Sequence, residues 1–206
     1  MEMPADSSKS FAVCPSGNHE AVCTRVIDLG TQEVHFNGET KCQRKVFLQW
    51  EISGASDDDG NPFLVGERYT LSSNEKSNLR KMLESWRGKR FDDSELGEGG
   101  FDIKKVIGAP CLVSVIQQES GGKTYANVRN VSPLPKGMQR PKPTTNTAYF
   151  SLHEHRYRAD VYDSLSDGLK RVIAMSPEWK RMQDPLDEGS SEVEYHEYDA
   201  DSDIPF

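Results

Sequence analysis

The chain contains 206 residues, of which 35% are hydrophobic and 28% are charged. This length fits one domain of common size with tails, or two small domains, and the composition excludes a chain that is compact throughout. The formal net charge is −8, which at first sight argues against a partner rich in phosphate. No run is long and apolar enough to span a membrane, and residues 1–10 are polar. We therefore expect a soluble, intracellular protein.

The acidic residues are concentrated at one end. Nine of the 33 Asp and Glu residues lie in residues 184–206, a segment that has no Lys or Arg. The remaining 24 acidic residues are balanced by 25 basic ones, so the body of the chain has a net charge of about +1. A segment so acidic and so poor in apolar residues cannot fold alone, and we expect residues 184–206 to be a disordered tail.

The four cysteines show no spacing that is typical of a metal site or a disulfide framework. Cys14, Cys23, Cys42 and Cys111 include no CxxC pair. We interpret them as reduced thiols, and we predict no metal site, no cofactor and no catalytic residues.

In chain order, residues 1–18 are a polar lead-in and residues 21–29 form a strand rich in β-branched side chains. Asn37-Gly38 predicts a turn, and residues 45–52 alternate between apolar and polar as a half-buried strand does. Residues 56–62 are a loop; their consecutive aspartates lack the alternating ligands and closing Glu of a calcium loop, so calcium is rejected.

The second half of this unit contains a helix and two more strands. After a third strand at residues 66–72, Ser72 and Glu75 form a capping box that predicts a helix. Its apolar stripe is Leu79, Met82, Leu83 and Trp86, and Gly88 ends it. Strands follow at residues 110–118 and 123–131, on either side of a Gly-Gly turn.

This order predicts a mainly β domain over residues 19–135. Three strands, a helix and two strands match the OB-fold, a five-stranded barrel that binds oligonucleotides and oligosaccharides. Residues 136–183 are a linker, of which residues 136–147 are basic and contain proline. It includes one helix at residues 160–174, whose apolar face is expected to pack on the barrel or on a second copy.

The last residues of the chain carry the most specific signal. An acidic run ends in Asp203-Ile204-Pro205-Phe206, and a terminal Phe offers an aromatic anchor and a carboxylate on one residue. This ending resembles the acidic C-terminal tip of bacterial single-stranded DNA-binding proteins. The resemblance implies that Asp201, Asp203, Ile204, Pro205 and Phe206 dock on replication and repair proteins of the polymerase, helicase, primase or nuclease type. The alternative is a tail that only keeps the protein soluble.

As a whole, the chain resembles a phage-type single-stranded DNA-binding protein with a host-like tip. The resemblance implies a role in DNA replication, recombination and repair in the cytoplasm of a bacterium or a bacterial host cell. A homodimer is a further possibility, because the predicted C-terminal helix could pack on a second copy. The acidic tail resembles a nucleic-acid backbone in charge, and we expect it to compete for the DNA-binding groove.

Binding of single strands requires cations along a groove and aromatic rings on which bases stack. Phe47 is the main stacking candidate because it lies on the polar side of its strand, although the C-terminal segment could cover it. The sequence supports a core position and a groove position for Tyr69 equally, whereas it predicts that Trp50 and Trp86 are core residues. The predicted DNA-binding set is Phe36, Lys41, Arg44, Lys45, Phe47, Gln49, Arg68, Tyr69, Lys123, Tyr125 and Arg129.

Two other functions compete with DNA binding for this sequence. A metal-dependent nuclease could use Glu51 and the aspartates at 57–59, but these aspartates lie in a turn-rich loop without a rigid framework, so we predict that the protein is not an enzyme. An adaptor or decoy would engage host enzymes through the tip while its barrel binds protein or duplex DNA.

Overall fold

Six strands and four α-helices make up the part of the chain that the computed structural model describes, which is residues 12–36, 38–96, 100–153 and 157–183. The strands are β1 (Gly17–Phe36), β2 (Glu39–Ser56), β3 (Pro62–Thr70), β4 (Pro110–Ser120), β5 (Lys123–Ser132) and β6 (Ala148–Phe150). The helices are α1 (Asn78–Arg87), α2 (Ala159–Asp163), α3 (Asp167–Met175) and α4 (Pro177–Gln183), and a 3-10 turn covers Ile103–Val106. The predicted mainly β class is confirmed.

The strands form one sheet in the order β3-β2-β1-β4-β5, in which all neighbours are antiparallel. β1 is long and bulged, and pairs with β2 along one edge. Its other edge pairs first with β4 and then, at Arg25–Ile27, in parallel with β6. The sheet curls until Cα atoms of the two outermost strands, β3 and β5, come within 8 Å. No ladder joins these strands within the described residues, so the sheet is open rather than a closed barrel.

The inner core lies between one face of the sheet and α1. The alternating row predicted for β2, which is Val46, Leu48, Trp50 and Ile52, is buried there. Trp86 of α1 packs on Trp50 with ring centroids 6.0 Å apart, so both tryptophans are core residues as predicted. This face holds the large apolar side chains whose burial drives folding.

Helix α1 ends where the sequence predicts, but it begins later than predicted. Gly88 caps its end with a φ of 69°, a left-handed conformation that suits glycine. At the other end, Ser77 is the N-cap, and its hydroxyl accepts a hydrogen bond from the Arg80 amide. The predicted capping box at Ser72 is therefore wrong, because Ser72 instead provides the carbonyl that accepts a bond from the Ser77 hydroxyl.

An outer cluster joins the C-terminal segment to the opposite face of β1. Its buried members are Ile27, Leu29, Phe150, Leu152, Val161, Leu165, Leu169 and Ile173. The single helix predicted over residues 160–174 is split, because Ser166 caps a new helix, α3, with a bond from the Leu169 amide. α3 ends at Met175, just before Pro177, and Pro177 then starts α4, since proline suits the first turn of a helix.

Two buried carboxylates hold this segment against the sheet. Both oxygens of Glu51 accept bonds from Thr144 and Thr145, each of which donates its amide and its hydroxyl over 2.5–2.8 Å. Asp28 accepts a bond from the Leu152 amide and forms an ion pair with Arg44 at 2.6 Å. Glu51 is 3% exposed, and the four bonds that its carboxylate accepts fasten residues 144–145 to β2.

Candidate nucleic-acid interface

The outer face of β2 and β3 brings together four of the predicted DNA-binding residues. Lys45, Phe47 and Gln49 follow one another on this face of β2, and Phe47 lies directly opposite Arg68 of β3. Side chains two residues apart on a strand point to the same side, about 6.6 Å from one another. An aromatic ring, an amide and two cations thus share one surface about three residues long.

The Phe47 ring lies across Gly66, the cross-strand partner of Gln49. A Cβ atom built on Gly66 would overlap the far edge of this ring, so the glycine makes room for it. The other side of Phe47 packs against the outer cluster, and the ring is half-buried as a result. Stacking of a base on this ring stays a prediction, and the ring has the partial exposure that such stacking requires.

The cations of this surface differ in how firmly they are held. Arg68 is exposed. The Lys45 amine donates to Thr70 Oγ1 and Gln43 Oε1, each at 2.7 Å, which fixes its charge beside the ring. Lys45 lies two residues before Phe47 on the same strand, and Arg68 lies opposite Phe47 on β3. A phosphate next to a base on this ring would therefore lie near one of these two cations.

Two other predicted residues on these strands are placed differently. Arg44 points to the inner side of β2, where Asp28 neutralises its charge through two hydrogen bonds from the guanidinium. Tyr69 belongs to the inner core with 9% exposure, and burial, followed by the nearby Glu67 carboxylate, raises the pKa of its hydroxyl. Strict alternation along β3 explains this placement, since Arg68 occupies the outer face.

A second group of predicted residues lies on β5. Tyr125 is 48% exposed and shares a face with Ile116 of β4, which is 43% exposed and pairs with Asn127. A bulge shifts the register between Ser114 and Val115, so Arg129 lies between the paired residues Val128 and Asn130, and its side chain is exposed. Lys123 is exposed at the start of β5. This surface is separate from the β2–β3 face in the order of the strands.

The hairpin between β1 and β2 contains the remaining candidates. Phe36 pairs with Glu39 at its end, and the Phe36 side chain lies outside the described residues. Lys41 is half-buried and forms an ion pair with Glu39 at 3.5 Å. The predicted docking residues Asp201, Asp203, Ile204, Pro205 and Phe206 also lie outside the part of the chain that is described.

Sequence reasoning did not single out Gly66 or the exposed apolar side chains near the interface. Leu64 of β3 is 44% exposed and pairs with Glu51. A glycine inside a strand indicates a close approach of another group, but the predicted strand began at Gly66, whereas β3 begins at Pro62 and places this glycine in its interior. The exposure of Leu64 and Ile116 had no signal in the sequence, because an apolar side chain in a strand predicts burial.

Comparison with family models and with curated proteins gives no match for this chain. Within the described ranges, no helix combines the length and the hydropathy that crossing a membrane requires. The assignment of a function therefore depends on the geometry of the β2–β3 face and on the sequence of the tail.

Proposed function

We propose that this protein binds single-stranded DNA without sequence preference, on an OB-type sheet, and recruits replication and repair proteins through residues 201–206. The observation that carries the proposal is the β2–β3 face, where Phe47 follows Lys45 on the same face of β2, pairs with Arg68 of β3, and has its ring over Gly66. In OB-folds, which are partly open five-stranded barrels, oligonucleotides bind on the face of strands two and three. Rings for bases and cations for phosphates are the two requirements of sequence-independent binding.

The arrangement of the strands also supports an OB-type fold. The sheet has five main strands with α1 between the third and fourth, and its edge strands approach one another. The β1–β2 and β4–β5 hairpins, which carry Lys41 and Lys123, are the loops that flank the bound strand in this fold. No catalytic step is part of the proposal.

The role of the tail rests on its sequence. The run that ends in Ile204-Pro205-Phe206 combines an aromatic anchor with acidic side chains that steer it toward basic surfaces. Its resemblance to the tip of bacterial single-stranded DNA-binding proteins supports docking on enzymes that act on the coated strand. A peptide of residues 199–206 is expected to compete with the full chain for such an enzyme, and the same peptide with Phe206→Ala is not.

DNA binding is tested by fluorescence anisotropy with labelled oligo-dT. Phe47→Leu keeps an apolar side chain in the outer cluster but removes the aromatic face, and we expect binding to weaken about five- to tenfold. Arg68→Ala should lower the slope of log affinity against log salt by about 0.7, the value for one phosphate contact on a single strand. Lys81→Ala, at an exposed position on α1, is the matched control and should leave the slope unchanged.

Equal affinities for the native chain and Phe47→Leu, together with an unchanged slope for Arg68→Ala, would remove the β2–β3 face from the proposal. The adaptor function is the second candidate, and a specific observation favours it. Asp28 neutralises Arg44, and the outer cluster covers a part of Phe47, so the face presents less charge and less ring surface than the sequence predicts. Absence of oligo-dT binding at low salt, with docking of the tip intact, would support the adaptor.

A further inference from the structure

Arg25, an arginine of β1, lies beside the β2–β3 face and has no part in the proposed function. It pairs with Gln49 of β2, and Gln49 pairs in turn with Gly66 of β3. These three residues therefore form one row across the three strands. The Phe47 ring lies over Gly66, at the β3 end of this row, and Arg25 occupies the β1 end.

Three observations place the Arg25 side chain on the same side of the sheet as Phe47. Residues directly opposite one another in an antiparallel pair project to one side, and Gln49 shares its side with Phe47. The register is regular from Arg25 to Ile27, and Ile27 pairs with Phe47 and belongs to the outer cluster. The Arg25 guanidinium also donates to the carbonyl of Ser164, at the end of α2, a helix that contributes to the same cluster.

The Arg25 guanidinium is held in place without being neutralised. Its bond to the Ser164 carbonyl is 3.4 Å long and lies at the surface, and a guanidinium has five N–H donors. No carboxylate of the described residues pairs with Arg25, whereas two bonds tie Arg44 to Asp28. The positive charge of Arg25 and most of its donors therefore remain able to hold an anion.

The neighbouring positions on this side of the sheet are closed. Glu51 is the next residue of β2 after Gln49 that points outward, and its carboxylate is covered by residues 144–145 through four bonds. On β1, Ile27 is completely buried in the outer cluster. Arg25 is half-buried and lies between these two covered positions. A DNA strand with a base on the aromatic ring therefore meets an open cation on β1 only where Arg25 lies.

The spacing of the strands separates Arg25 from the cation of the β2–β3 face. Neighbouring strands are about 4.8 Å apart, so β1 and β3 are about 10 Å apart on either side of β2. Arg68 lies on β3 opposite Phe47, and Arg25 lies on β1. Because an arginine fork donates two parallel bonds to a phosphate, each of the two can hold a different phosphate of one strand.

We propose that Arg25 binds a phosphate of the DNA strand whose base lies on Phe47, on the side of β2 opposite Arg68. The strand crosses β2 between the two arginines, and the bond to the Ser164 carbonyl positions the Arg25 side chain for this contact. This inference rests on the proposed function and deepens it, because it assigns a phosphate site on β1, outside the β2–β3 face.

The test measures the anisotropy of labelled oligo-dT with the full chain at several salt concentrations. Arg25→Gln keeps an N–H donor for the Ser164 carbonyl but removes the charge, and it should lower the slope of log affinity against log salt by about 0.7. Arg25→Lys keeps the charge and should keep the native slope. The double variant Arg25→Gln/Arg68→Ala should lower the slope by about 1.4, because two phosphate contacts are lost.

Arg171→Gln is the matched control, because Arg171 is an exposed arginine of α3 and its replacement removes the same charge. Its slope should equal that of the native chain. Chemical denaturation shows whether each variant is folded. A measurement on the native chain needs no variant: in NMR spectra, the side-chain Nε–H signal of Arg25 should shift when oligo-dT is added, and the signal of Arg171 should not.

The outcomes separate this inference from the proposed function. A native slope for Arg25→Gln, or an unmoved Arg25 signal, would overturn the phosphate site, and a lowered slope for Arg68→Ala would then leave the proposed function intact. If the double variant has the slope of a single variant, both arginines contact one phosphate, and the crossing of β2 is wrong. Absence of oligo-dT binding by the native chain at low salt would overturn both.

Discussion

Among single residues, Phe47 and Gly66 depend on each other. The ring occupies the space in which any other residue at position 66 would place its Cβ atom, and that atom would also lie 3.0 Å from the Leu48 carbonyl oxygen. Glycine weakens a strand unless a close approach requires it. The position of the one aromatic ring on the β2–β3 face is therefore set by the absence of a side chain on the neighbouring strand.

Gly66→Ala should lower the free energy of unfolding by about 1–3 kcal/mol, because the added methyl group forces the ring or the strand to move. Gly168→Ala is the matched control. No atom lies within 4 Å of a Cβ at Gly168, which is inside α3, and alanine there should stabilise the protein by about 0.4–1 kcal/mol. Chemical denaturation of the three proteins measures both values. A neutral Gly66→Ala would show that the Phe47 ring has room to relax.

The buried Glu51 carboxylate predicts a dependence of stability on pH. Burial raises the pKa of Glu51, but the bonds from Thr145 and Thr144 outweigh it and hold the pKa below its usual value. The folded state thus favours the charged form. Its contribution is fully present above the pKa of the unfolded chain, about 4.3, and is lost as the pH falls through the lower folded value.

Glu51→Gln should therefore destabilise the protein at pH 7 by about 1–3 kcal/mol, since the amide cannot accept all of the four bonds. The difference from the native chain should begin to shrink below about pH 4.3, where the unfolded chain takes up the proton, and should be lost as the pH falls through the lower pKa of the folded carboxylate. Denaturation curves between pH 3 and 7 measure it. Glu119→Gln, at an exposed position on β4, is the control, and a difference for Glu51→Gln that stays constant over this range would contradict the role given to the carboxylate.

At the level of elements, the caps decide where the helices begin. Ser77 accepts the Arg80 amide and donates to the Ser72 carbonyl, and it is 2% exposed. Ser166 plays the same part for α3 and divides a stretch whose apolar periodicity alone predicts one helix. Each cap satisfies an amide that the helix leaves unpaired.

Ser77→Ala should cost about 1–2 kcal/mol of stability, because it removes the N-cap and leaves the Arg80 amide without its acceptor. Ser72→Ala should cost less, since the Ser72 hydroxyl only accepts a bond from the Asn74 amide in an exposed turn. Thermal and chemical unfolding of the two variants compares them directly. A larger loss for Ser72→Ala than for Ser77→Ala would show that the helix begins at Ser72.

At the level of the whole molecule, charge separates the tail from the body. Residues 184–206 contain nine Asp and Glu residues and no Lys or Arg, and the rest of the chain has a net charge of about +1. The last described helix, α4, is bonded to β1 through Glu178, whose carboxylate accepts bonds from the Thr31 amide and hydroxyl at 2.9 and 2.6 Å. The acidic segment therefore starts on the same domain that is proposed to bind DNA.

Deletion of residues 184–206 should tighten the binding of oligo-dT, most strongly at low salt, because like charges then no longer compete with the strand. The matched control keeps the length of the segment and replaces its nine acids with Asn and Gln, and it should bind as the deletion variant does. Anisotropy titrations at three salt concentrations measure the effect. Equal affinity of the native and truncated chains would exclude competition by the tail.

The sequence alone determined the local features of this protein. The alternation of residues 45–52 placed Trp50 in the core, the helical stripe placed Trp86 beside it, and Gly88 marked the end of α1. Side-chain periodicity follows directly from the geometry of strands and helices, so burial on a given face can be read without knowledge of the partner. The acidic tail and its Ile204-Pro205-Phe206 ending are likewise visible only as sequence.

The tertiary structure decided which side chains share a surface and which are taken by other partners. The sequence predicts Arg44 and Arg68 alike as DNA-binding cations. In the structure, Asp28, 16 positions away from Arg44 in the chain, neutralises Arg44, whereas Arg68 is exposed. Phe47 packs against a cluster to which β1 and the C-terminal helices both contribute, and a bulge in the β4–β5 ladder leaves Arg129 out of the paired register. These contacts depend on packing between residues that are distant in the sequence. The periodicity of a strand or helix predicts which of its faces is buried, but it does not predict which other element packs on that face.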